Sequence, residues 1–253
     1  MTNKHPLSKE TEFIESINAM VESGIDQDRL EEILAEAKKM QGIGGSYYVS
    51  AKRIMGMIAS LRGDVVETDH QFKAAIAHGG ESIETLNDYS IALWNLRKIR
   101  RNLELLDTLV ERAPDNPQLI QTAIRNHWAA YDVEGVRRLL KQAEKLNLPE
   151  DKLVSELVEE FDLDTVSKLL KEAEATWEQV CARIEFASGV LNKLGIYSPA
   201  MRSAMTDGIV SHSYLLVTDL EGVMRAEDAI NDAIANEPFS PADRVIYFSC
   251  ARA

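Results

Sequence analysis

The chain has 253 residues, 45% of them hydrophobic and 27% charged, proportions of a folded protein rather than a disordered one. A formal net charge of −13 argues against non-specific binding to nucleic acid, which needs Lys and Arg to neutralise phosphates. No window approaches the roughly 18 apolar residues that span a bilayer, and the polar stretch Met1–Glu12 lacks the apolar core of a secretory signal. Two cysteines, Cys181 and Cys250, suit free thiols in a reducing compartment, so a cytoplasmic location is expected.

In chain order, Glu10–Val21 and Asp28–Met40 are predicted as a helix pair separated by Ser23-Gly24-Ile25-Asp26, its charged face suited to capping an array. Gly42-Ile43-Gly44-Gly45 reads as a loop. It follows a helix rather than a strand and lacks a Lys-Ser/Thr ending, so it is not a phosphate loop.

Three windows then align at a spacing of 34 residues: Val49 to about Glu81, Ile83–Asp115 and Pro117–Pro149. Phe72, Leu106 and Leu140 stand at equivalent places, as do Ala75, Leu109 and Ala143. Met55, Tyr89 and Ala123 form an earlier set, followed directly by Gly56, Ser90 and Ile124. In the first window Ile54, Met57, Ile58 and Leu61 recur at helical spacing, Gly63-Asp64 breaks the chain, and Phe72, Ala75 and Ile76 share a face of a second helix. The basic cluster Arg97, Lys98, Arg100 and Arg101 is expected at a solvated turn between helices. A fourth, irregular unit repeats Val136–Glu144 as Val166–Glu174 at a step of 30, with a shortened first helix over Glu150–Phe161.

From Asp164 to about Leu194 the helical pattern runs some thirty residues, long enough to predict a kink or a hidden break. Gly195 ends it, and Ser198-Pro199 reads as the cap and first position of another short helix. Tyr214–Val217 and Val245–Phe248 are short apolar runs rich in β-formers, with Val223, Ala226, Ile230, Ala233 and Ile234 marking an amphipathic helix between them. The reading is strand–helix–strand, with buried helix as the alternative for either run. Two strands alone leave open edges, which suit pairing with a partner chain or a second copy.

The 34-residue step, the small residues Gly56 and Ser90, the aromatic Phe72, the alanines Ala75 and Ala143 and the terminal Pro114 together resemble the tetratricopeptide (TPR) repeat family over about 100 residues. Thr68, Asn102 and Val136 depart from the family's inner alanine, and Leu109 from another. The resemblance implies a superhelical α-α array whose first helices line a concave groove. Carried over by register, the groove-facing residues are Arg53 and Met57, then Asn87, Ile91, Trp94 and Asn95, then Gln121, Arg125 and Trp128. Trp94 and Trp128, 34 residues apart, are expected one above the other, as an aromatic wall for a peptide or as inter-helix packing.

No catalytic chemistry emerges from the residues. The histidines His5, His70, His78, His127 and His212 make no metal-ligand pair with a second His or Cys, and His127, beside Trp128, is expected to pack or to line the groove. Ser211-His212-Ser213 places its neighbours on opposite faces of a strand, and Glu31-Glu32 and Glu159-Glu160 read as solvated helix faces. No metal or cofactor is expected.

The expectation is a mainly α fold: a TPR-like array with a small carboxy-terminal α/β module. Its divisions are a capping helix pair at 1–45, repeats and a long helix at 46–194, and the module at 195–253. Its function is that of a protein-binding adaptor or regulatory scaffold, not an enzyme, which holds a peptide or helix of a partner protein. It contacts neither nucleic acid nor membrane, and the module is a candidate for homodimerisation. Two alternatives stand: an acidic inhibitor, antitoxin-like or secretion-chaperone protein masking a basic partner, and an enzyme with a site around His212, Tyr214 and Asp219.

Overall fold

A computed structural model of the chain describes residues 6–148, 163–196, 198, 200–206, 209–216 and 218–252. The expected helix Glu150–Phe161 and the pair Glu159-Glu160 lie outside the described residues. The architecture is mainly helical with a small carboxy-terminal sheet, and the chain divides into two compact units, Met1–Lys98 and Ile99–Ala253.

The amino-terminal unit contains α1 (Pro6–Ser23), α2 (Gln27–Ile43), α3 (Ser46–Leu61), α4 (Val65–Gly79) and α5 (Ile83–Asn95). Helix α3 is central and packs against the other four. Its Gly56 explains the closeness to α4. A Cβ at that position would sit 2.6 Å from Cε2 of Phe72, so only a glycine lets the ring lie on the helix backbone. Phe72 in turn stacks on Tyr89 of α5, centroids 4.8 Å apart, which joins the next helix to the same core.

The carboxy-terminal unit contains α6 (Ile99–Arg112), α7 (Pro117–Ala129), α8 (Val133–Lys145), α9 (Leu163–Glu172), α10 (Trp177–Lys193), β1 (Ala200–Thr206), β2 (Ile209–Leu216), α11 (Leu220–Ala235), a single 3-10 turn at Pro241–Arg244 and β3 (Ile246–Arg252). The repeat step is written into the backbone as well as the side chains. Gly63, Arg97 and Tyr131, each 34 residues from the next, all adopt left-handed φ values of 74°, 54° and 60°. Such a residue just past a helix end turns the chain sharply, and the following helices start at Val65, Ile99 and Val133. Asp64 and Asp132 cap two of those helices by accepting from the N–H of Glu67 and Gly135. Arg97 is buried over the Trp94 ring rather than solvated, while Arg100 is exposed.

The long helical pattern after Asp164 does break. Helix α9 ends at Glu172, Glu174 takes a φ of 56°, and Thr176 with Gln179 forms a capping box that starts α10. Buried Val180, Ile184, Ala187 and Leu191 of α10 share one apolar cluster with Ile99 and Leu103 of α6 and with Tyr214, Leu216 and Phe248 of the sheet. Arg183 on the same helix forms a bidentate pair with Asp243, at 2.7 Å from both Nε and Nη2, and donates to the carbonyl of Pro238 at 2.6 Å.

The strand–helix–strand unit is present as β2, α11 and a parallel β3. One expectation fails beside it: the short helix after Ser198-Pro199 is instead β1, antiparallel to β2 with Ala200 opposite Leu215 and Thr206 opposite Ile209. A seven-residue segment has too few turns to hold a helix alone, whereas pairing satisfies its backbone along β2. The sheet is therefore three-stranded, in the order β1-β2-β3. No helix among the described residues is long and apolar enough to cross a membrane.

Candidate functional site

Helix α5 sorts its residues by face. Leu86, Tyr89, Ala92 and Leu93 are buried, while Asn87, Ile91, Trp94 and Asn95, which share the other face at steps of four, three and one, are each half-buried. The stripe thus presents an apolar centre, Ile91 and Trp94, between two carboxamides. The guanidinium of Arg97 lies 5.8 Å from the Trp94 ring and donates to the Trp94 carbonyl at 3.1 Å, bracing the indole from its own turn.

The two residues carried over onto α3 are placed differently. Met57 is fully buried in the core of the unit. Arg53 is engaged on both sides: Nη1 donates to Glu10 of α1 at 2.9 Å, and Nε and Nη2 reach Asp88 of α5 at 2.8 and 2.7 Å. Ser50 completes the set by donating to Glu10 at 2.6 Å. Burial raises the Asp88 pKa, and the pairing with Arg53 offsets only part of that effect. This cluster ties α1, α3 and α5 together.

In the second unit Gln121, Arg125 and Trp128 share one face of α7 and are each half-buried. Trp128 packs partly against the apolar cluster of that unit, so its ring has a structural share.

The neighbouring residue, His127, sits at the centre of a polar group that joins α6 and α7 to the start of α8. Its Nδ1 lies 2.6 Å from Asp132 Oδ2, and its Nε2 lies 3.1 Å from Asp107 Oδ1 of α6. Both partners are carboxylate oxygens, which only accept, so both ring nitrogens donate and the imidazole carries a proton on each. Burial opposes that charge, but the two carboxylates outweigh it and the His127 pKa is raised. Burial likewise acts to raise Asp107 and Asp132, yet His127, with Arg138 on the first and the Gly135 N–H on the second, holds both below the usual range. Arg138 reaches Asp107 at 2.6 Å. A Cβ at Gly135 would collide with both Asp132 Oδ2 and His127 Nδ1, so the glycine is what admits the contact.

Asp132 also borders a cleft of about 290 Å³, walled by Tyr131, Val133, Leu170, Ala175 and Trp177 with Glu134, Ser167, Lys171 and Thr176 at its polar margin. Trp177, part of the helical pattern read from the sequence, is not among the groove residues carried over by register because it falls outside the 34-residue step. The Thr-x-x-Gln capping box was the signal that placed it at a helix start.

His212 and Tyr214, weighed for an enzyme, are buried. His212 lies edge-on to Tyr214 and Phe248 at 5.5 and 5.9 Å, and the Tyr214 hydroxyl donates to the Ile184 carbonyl at 2.9 Å. Asp219 caps α11 through the Gly222 N–H. Among the described residues no group of three or more His, Cys, Asp and Glu side chains is placed to hold a metal ion. No protein-family model matches the chain, and searches of curated sequences and of solved structures return no significant match.

Proposed function

We propose that the chain is a TPR-like protein-binding adaptor which takes a peptide or helix of a partner protein on the face of α5 formed by Asn87, Ile91, Trp94 and Asn95. The observation that carries this reading is the half-exposed Trp94, with the Arg97 guanidinium against its ring, set beside Ile91 on a helix whose other face is buried. A preordered indole offers large contact area at little entropic cost, and carboxamides at either end can hydrogen-bond a peptide backbone. Arg53 serves this surface by fixing α5 against α1 and α3, not by meeting the ligand, and Met57 supports it from the core. On α7, in the carboxy-terminal unit, Gln121, Arg125 and Trp128 form a half-buried face of similar composition.

The test is selection of binders from a displayed peptide library on the full chain, followed by Trp94→Ala and Ile91→Ala. Truncating a central aromatic anchor is expected to weaken the selected peptides by ~30-fold, about 2 kcal/mol, with helical content unchanged. Peptides that bind both variants as tightly as the parent chain would retire the α5 face.

A further inference from the structure

The two edges of the carboxy-terminal sheet are not equivalent. On β3 the N–H of Cys250 donates to Glu227 Oε2 at 2.7 Å, and Glu227 comes from α11, which packs against that strand. A side chain therefore occupies backbone hydrogen-bonding capacity that an added strand would need. At the other edge, β1 pairs with β2 over all seven of its residues and has no strand on its outer side among the described residues. Its sequence, Ala-Met-Arg-Ser-Ala-Met-Thr, contains no Pro, Lys, Asp or Glu, so the residue types that most often keep an edge from pairing are absent from it, Arg202 being its one charge.

We propose that two copies of the chain join along the outer edges of β1, antiparallel about a two-fold axis normal to the sheet, to form one six-stranded sheet. This inference rests on the sheet alone and is independent of the α5 face.

Symmetry and charge select the second copy as the occupant and also select the register. An axis normal to the sheet preserves its faces, so residues opposite one another across the joint share a face, and registers differ by two-residue steps. Full overlap of the seven residues centres on Ser203, which sets Arg202 opposite Ala204, Met201 opposite Met205 and Ala200 opposite Thr206 of the second copy. A shift one way sets Arg202 against Arg202, and a shift the other way sets Ala204 against Ala204, each losing two of the seven paired positions. The chain carries a net charge of −13, yet β1 has no acidic residue, so the joint avoids the repulsion that most other surfaces of two copies would meet. With the Cys250 N–H of β3 taken by Glu227, a joint through β1 about a two-fold axis uses that strand once in each copy, so association is expected to close at two rather than grow into a fibre.

The position of Ala204 gives a register-specific test. The strand register pairs Ala204 with Ser211 of β2, and Ser211 with Tyr247 of β3. Sedimentation equilibrium of the full chain across the micromolar range is expected to give a mass rising to twice 28.3 kDa. Ala204→Glu places a carboxylate opposite each Arg202 and is expected to tighten the dimer, whereas Ala204→Arg places like charges there and weakens it, each by on the order of tenfold. Misfolding at one site would shift both variants in the same direction, and circular dichroism checks the fold of each. A mass of 28.3 kDa at every concentration overturns the proposal, and so does a dimer whose constant ignores both charges or moves the same way with both. Trp94→Ala is expected to leave the mass unchanged, which separates this result from the test of the α5 face.

Discussion

His127 shows how a single side chain can acquire a charge state from its neighbours. Caught between Asp107 and Asp132, it donates from both nitrogens and so holds its proton above the ordinary histidine range. The sign of the pH dependence follows from the direction of each shift. A raised histidine pKa contributes stability that is complete below the unfolded value and is lost as pH rises through the folded value. The lowered pKa values of Asp107 and Asp132 contribute stability that is present above the unfolded carboxylate value and is lost as pH falls through the folded ones. The stability difference between the parent chain and His127→Gln is therefore expected to peak between about pH 4.5 and 6.5 and to shrink on either side. At the peak, leaving partly buried carboxylates uncompensated is expected to cost roughly 3 kcal/mol, measured by urea denaturation at each pH. A difference that grows steadily toward alkaline pH would show that the imidazole is neutral in the folded protein. The sequence places His127 on a repeat helix beside Trp128, but neither aspartate is legible from it: Asp107 comes from another helix, 20 residues away.

At the scale of elements, the helix pair α3–α4 depends on the absence of a side chain. The small residue and the aromatic ring that carried the family resemblance, Gly56 and Phe72, are in direct contact, so this part of the resemblance rests on a physical requirement. Gly56→Ala is expected to destabilise the chain by about 1–3 kcal/mol through overpacking against Phe72. Gly42→Ala makes the contrasting case. Its Cβ meets nothing within 4 Å near the end of α2, and removing the glycine's backbone entropy is expected to stabilise by about 0.5–1 kcal/mol. Equal melting shifts for the two variants would sink the packing account. The helix pairs were legible because caps, breaks and apolar periodicity all act within one or two turns of chain. Strand β1 was not, because seven residues of mixed small and long side chains read as a strand only once β2 lies beside them.

Over the whole molecule, the repeats and the terminal sheet are less separate than their sequence textures suggest. Tyr214, Leu216 and Phe248 belong to the same apolar cluster as Ile184 and Leu191 of α10 and Ile99 and Leu103 of α6. Ending the chain after Gly195 would remove the cover from α10 and leave Val180, Ile184 and Leu191 facing water. Such a truncation is expected to bind a hydrophobic dye and to lose cooperative unfolding in its carboxy-terminal unit. A truncated chain that melts as sharply as the intact one would show that the sheet is dispensable. The sequence by itself determined the helical hairpins, their 34-residue step and the break before α10, because those features arise from hydrogen bonds and side-chain spacing within a few residues. Only the tertiary structure decided that Met57 is core, that Arg53 is held by Glu10 and Asp88, and that β1 and β3 are the outer strands of the sheet, with the Cys250 N–H of β3 taken by Glu227. Whether a side chain meets solvent or protein depends on which distant segment comes to cover it, and that is set by long-range packing rather than by local periodicity.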